Sequence, residues 1–75
     1  MYYVYVLKNN RGELYYGYTN NFDRRVLEHN KDQNQELIYY EAYKSEQDAR
    51  RRERKLKDYG QAVKALKSRI SQSLK

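Results

Sequence analysis

The chain contains no cysteine, no proline and no tryptophan, and only one histidine and one phenylalanine, in 75 residues. Without cysteine, disulfides and thiolate metal sites are both excluded, and an intracellular setting is the simpler expectation. Without proline, internal repeats or a low-complexity linker, the chain reads as one continuous unit. Its longest apolar run, Tyr2 to Leu7, is too short to cross a bilayer or to form a signal-peptide core. The expectation is a soluble cytoplasmic protein with no membrane association. At this length it forms one domain, residues 1–75, with a small core, because the fraction of surface buried falls with chain size.

What is present is positive charge and tyrosine. The formal net charge is +6, and it is unevenly placed: residues 1–37 hold five Lys/Arg against five Asp/Glu, whereas residues 38–75 hold eleven against five. A basic, hydrophilic chain favours a polyanionic partner, with nucleic acid ahead of an anionic membrane surface. Tyrosine accounts for ten residues. A core built for stability alone would use Leu, Ile and Phe, because each buried phenol needs a hydrogen-bond partner. Composition leaves two uses open: β propensity on half-exposed sheet faces, or a surface that stacks on bases and presents phenols to phosphate.

Two β-rich runs, Tyr2 to Lys8 and Glu13 to Tyr18, flank Asn9-Asn10-Arg11-Gly12, a hairpin signal with a glycine suited to positive φ. Asn20 and Asn21 can cap a helix that starts near Phe22, with Asp23 in its first turn and Phe22, Val26 and Leu27 as its apolar stripe. Glu36 to Tyr43 reads as a third strand, with Leu37, Tyr39, Glu41 and Tyr43 on one side of the pleat. Ser45, with Asp48 three residues later, opens a helix from Glu46 to Asp58. Gly60 marks a break before a last helix whose stripe is Ala62, Val63, Leu66 and Ile70. The fold class is α+β, a small three-stranded, mainly antiparallel sheet flanked by helices in the order β-β-α-β-α-α.

Some residues are out of place in that scheme. Glu53 falls between Ala49 and Leu56, in a stripe that should face the core, where a carboxylate costs stability unless it is paired or binds a cation. A neighbouring arginine could satisfy it. Arg25 and His29, one turn apart, flank the stripe of the first helix and project from one face. Taken singly they read as a solvated helix charge, with Arg24 as its twin, and a half-buried surface histidine. Together with Glu53 and a tyrosine-rich sheet they make chemical sense. The guanidinium fork matches phosphate oxygens. Glutamate is a hard ligand for Mg²⁺ or Mn²⁺. A tyrosine can relay a proton, but with a reference pKa of about 10 it needs nearby positive charge to act as a base.

"YVY" at Tyr3 to Tyr5, "YYG" at Tyr15 to Gly17, Arg25, His29 and Glu53 within "RRRERKLK" resemble, in order and spacing, the GIY-YIG nuclease superfamily, and most nearly its small stand-alone branch of single-domain proteins. The resemblance covers nearly the whole chain. It implies a catalytic set of Tyr5, Tyr15, Arg25, His29 and Glu53, in which a tyrosine helps to activate water, the arginine stabilises the scissile phosphate, and Glu53 holds one Mg²⁺ or Mn²⁺. Tyr3 replaces the glycine of the first motif, Tyr16 stands where an aliphatic residue is usual, and no residue near the C-terminus matches the asparagine that helps bind substrate in some members. Longer members append domains that recognise DNA. Here target choice is expected to come from the domain itself, a homodimer or a recruiting protein.

The expected function is a metal-dependent endonuclease acting on nucleic acid, with DNA the first expectation. Arg24, Arg50, Arg51, Arg54 and Lys57 are the cations expected to meet the backbone. The alternatives are a non-catalytic nucleic-acid-binding module that uses the tyrosines and the basic helix, and a protein-interaction domain in which Glu53 is merely ion-paired.

Overall fold

The computed structural model describes residues 1–24 and 35–75. The β-branched and aromatic runs form three strands, β1 (Tyr2–Asn9), β2 (Leu14–Thr19) and β3 (Gln35–Tyr43), in one antiparallel sheet of order β2-β1-β3. A helix, α1, begins at Phe22 and is described over residues 22–24. Then come α2 (Glu46–Asp58) and α3 (Gly60–Arg69). The α+β class and the order β-β-α-β-α-α are those expected. Arg25, His29, Val26 and Leu27 lie outside the described residues.

Local chemistry accounts for the turns. In the β1–β2 hairpin, Asn9 Oδ1 accepts from the backbone N–H groups of Arg11 and Glu13, each at 2.9 Å, and Gly12 takes the positive φ of 83° that a side chain would resist. At the end of β2, the buried Thr19 Oγ1 accepts from Asn21 N–H at 3.0 Å. Asn21 Oδ1 in turn accepts from Arg24 N–H at 3.1 Å, capping α1. Ser45 Oγ accepts from Asp48 N–H at the start of α2, and Glu46 and Asp48 place negative charge in its first turn. The break between α2 and α3 is at Tyr59, in extended conformation, and Gly60 is already helical.

The pleat divides the sheet into two faces. Val4 and Val6 of β1 meet Ala49 and Leu56 of α2 and Leu66 of α3 in a small core, with Tyr16, Tyr18, Tyr39, Tyr43, Ala62, Val63 and Ile70 packed around it. Tyr3, Tyr5 and Leu7 project to the opposite face, where Phe22 stacks on Tyr3 with ring centroids 4.8 Å apart. β3 departs from the simple alternation expected. Val6 pairs with Tyr39 but Leu7 pairs with Leu37, so Ile38 is an extra residue, a β-bulge. The bulge turns Leu37 to the Leu7 face and gives its place against the core to Ile38.

Candidate active site

The tyrosine motifs meet through strand register. Tyr5 lies opposite Gly17 and Leu7 opposite Tyr15, so Tyr5, Tyr15 and Gly17 share the face away from α2 and α3. Tyr5 is 5% exposed, and its ring lies directly across Gly17: a β-carbon there would overlap Tyr5 Cζ and Oη. The glycine therefore gives the central-strand phenol a passage over the outer strand. Tyr15, two residues earlier on that strand, is 47% exposed. One tyrosine is held by packing and the other stays open to solvent.

Glu53 sits on α2 at the margin of the core stripe. Ala49 and Leu56 are buried as expected, whereas the Glu53 side chain is 24% exposed and, among the described residues, pairs with Lys57 Nζ at 3.5 Å. At 100° per residue, Glu46, Arg50, Glu53, Arg54 and Lys57 fall within about 100° of arc. This stripe borders β2: Tyr18 Oη donates to Glu46 Oε2 at 2.6 Å, and the Arg50 guanidinium lies 4.7 Å from the centre of the Tyr18 ring. Glu53 thus belongs to the side of α2 that runs beside the strand carrying Tyr15 and Gly17. Among the described residues, no group of three or more His, Asp or Glu side chains gathers to hold a metal ion.

The cations are dispersed along this edge. Arg24 and Arg50 line an open cavity of ≈ 360 Å³ between the β2–α1 turn and the start of α2, together with Tyr18, Thr19, Asn20, Asn21 and Glu46. Arg50 also pairs with Glu46 at 3.6 Å, and the hydrogen bond from Tyr18, with the Arg50 charge, holds the Glu46 carboxyl below its ordinary value. Arg51 makes an exposed pair with Asp48 at 3.8 Å, and Arg54 faces solvent.

Sequence reasoning passed over one polar cluster. Arg52 turns inward and bonds Glu41 through Nε, 3.1 Å from both carboxylate oxygens, while Tyr39 and Tyr43 also donate to Glu41. Burial opposes the charge on Glu41, but bonds from Tyr43, Tyr39 and Arg52, with the arginine's charge, outweigh it and hold the carboxyl below its ordinary value. Tyr43 is pushed from 10.0 to about 12 by burial, the bond to Glu41 and that carboxylate's charge. The signal was present in the sequence: Glu41, like Glu53, is a carboxylate among residues assigned to an apolar face.

A three-stranded antiparallel sheet that packs a central-strand tyrosine over an edge-strand glycine, with a helix glutamate beside that edge, is a framework of the GIY-YIG kind. The GIY-YIG catalytic domain matches residues 1–67, and the chain belongs to that family. It is similar to a UPF0213 protein of Staphylococcus epidermidis, 35% identical over 66 residues covering 76% of this chain and 80% of the relative. It is also similar to a UPF0213 protein of Staphylococcus saprophyticus, 28% identical over 71 residues covering 83% and 87%, and to one of Staphylococcus aureus, 33% identical over 66 residues covering 76% and 80%. No solved structure matches the chain. Among the described residues, no helix is long and apolar enough to cross a membrane.

Proposed function

We propose that the chain is a metal-dependent endonuclease that hydrolyses phosphodiester bonds in DNA. The observation that carries this reading is the Tyr5–Gly17 packing beside the exposed Tyr15, because it sets one buried and one open phenol on the same sheet face. Membership of the GIY-YIG family supports it.

In this reading Tyr15 takes or relays the proton of the attacking water, and Tyr5 holds its place by packing across β2. Arg25 binds the scissile phosphate and offsets the charge that grows on it, and His29 assists the proton transfers. Both assignments rest on the family resemblance. The site suits one ion that keeps most of its water: Glu53 is half-buried, its counter-ion among the described residues is an exposed lysine that substrate or metal can displace, and no group of three or more His, Asp or Glu side chains gathers among those residues. When bound, Mg²⁺ or Mn²⁺ supplies Lewis-acid stabilisation of the leaving oxygen. Arg24, Arg50, Arg51, Arg54 and Lys57 contribute backbone contacts.

The test is cleavage of labelled DNA and RNA, in duplex, branched and single-stranded form, with Mg²⁺, with Mn²⁺ and with chelator. Metal-dependent cutting of DNA that Arg25→Ala abolishes is expected. Cutting that persists in chelator would overturn the proposal.

A further inference from the structure

The face that carries Tyr5 and Tyr15 also carries an aromatic cluster for which the chemistry above has no use. Phe22 lies between two tyrosines, with centroids 4.8 Å from Tyr3 and 4.7 Å from Tyr40, and the rings of Tyr3 and Tyr40 are 6.3 Å apart. Phe22 and Tyr3 suffice to pin the start of α1 to the sheet. Tyr40 touches Phe22 from the other side, yet it remains 53% exposed, so part of its ring is open to a ligand. It is paired in register with Tyr5, on the neighbouring strand, about 4.8 Å away across the ladder. An open ring therefore stands beside the buried phenol of the candidate site.

We propose that the Tyr3–Phe22–Tyr40 cluster is a stacking site for an unpaired nucleobase, and that the substrate carries unpaired nucleotides next to the bond that is cut. Three observations favour a base over other occupants. The exposed ring is a tyrosine, which offers a π face while its hydroxyl stays in water. The cluster includes the first residue of α1, and the third residue of that helix, Arg24, lines an open cavity with Arg50, so the helix that the cluster anchors carries a cation suited to a phosphate. The chain's charge of +6 suits a polyanion. A duplex cannot use the cluster without opening, because its bases are already stacked on one another. The inference rests on the nuclease reading for its place in catalysis, but the stacking itself is independent of any cut.

The experiment measures affinity of a short fluorescent single-stranded DNA and of the matching duplex, in chelator so that nothing is cleaved, for wild type, Tyr40→Phe and Tyr40→Ile. Isoleucine keeps the strand and its apolar contact with Phe22 but removes the ring, and thermal melts confirm that each variant folds. Tyr40→Ile is expected to weaken single-strand binding about ten- to hundredfold, to leave duplex binding unchanged, and to abolish the fluorescence change of 2-aminopurine on binding. Tyr40→Phe should keep all three. Equal loss on both DNA forms, no loss on either, or no binding of single strands by wild type overturns the proposal. Single-strand stacking without cutting under any metal condition would remove the nuclease reading and leave this one. Cutting unaffected by Tyr40→Ile would leave the nuclease reading and overturn the placing of unpaired nucleotides next to the bond that is cut.

Discussion

Gly17 and Glu53 test the site from two sides. A methyl group at Gly17 meets Tyr5 Cζ, Oη and Cε2, and that ring belongs to the central strand and has nowhere cheap to go. Gly17→Ala is expected to cost about 1–3 kcal/mol by overpacking, read as a lower urea midpoint, and to suppress cleavage by displacing Tyr5. Gly60→Ala, with open space around the added carbon, serves as the control that leaves stability intact or raises it. Glu53 is the opposite case. Its pair with Lys57 is half open to water, and such pairs contribute about 0–1 kcal/mol. Glu53→Ala should therefore unfold within about 1 kcal/mol of wild type in the same urea titration, so a loss of cutting in that variant cannot be assigned to unfolding.

The Glu41–Arg52 pair joins β3 to α2, and Arg52 is the immediate neighbour of Glu53. Glu41 is held below its ordinary value when folded, so its contribution is complete above the carboxylate range near pH 4 and is lost as pH falls through the lowered folded value. Tyr43 acts at the other end: its folded value is raised, so stability is complete below pH 10 and declines as pH rises from 10.0 to about 12. Thermal melts against pH should show a decline at both ends. Glu41→Gln should flatten the acid decline and cost about 1–3 kcal/mol at neutral pH, because Arg52 is left half-buried without its counter-charge. This cluster also marks the limit of what the chain alone makes legible. The bounds of α2, its Ser45 cap and the Gly12 turn follow from neighbours in sequence and were readable. The bulge at Ile38, the inward turn of Arg52 among six consecutive charged residues, Arg50 to Lys55, and the Tyr5–Gly17 overlap all depend on which strand or helix lies alongside, and local patterning carries no record of that.

For the molecule as a whole, charge and size act together. The excess of cations in residues 38–75 lies largely on α2 and α3, and Arg50, Arg54 and Lys57 share one side of α2 with Glu53. DNA affinity should fall linearly with salt on logarithmic axes. Arg50→Glu/Arg54→Glu should reduce the slope by about two, one for each phosphate contact removed, as measured by anisotropy across a salt series. An unchanged slope would place the backbone elsewhere on the surface. Among the described residues the cluster between sheet and helices has five buried side chains, Val4, Val6, Ala49, Leu56 and Leu66, and in a chain of 75 residues little stability is to spare, so each functional variant must be matched to a melt. The most direct test of the central claim is then single: DNA cleavage in Mg²⁺ or Mn²⁺ by wild type and by Glu53→Ala, prepared identically, with folding and DNA affinity shown equal. Cutting by the wild type and none by the variant is the expected result. Equal cutting by both, or binding without cutting by both in either metal, would contradict the account and leave Glu53 as a surface ion pair with Lys57.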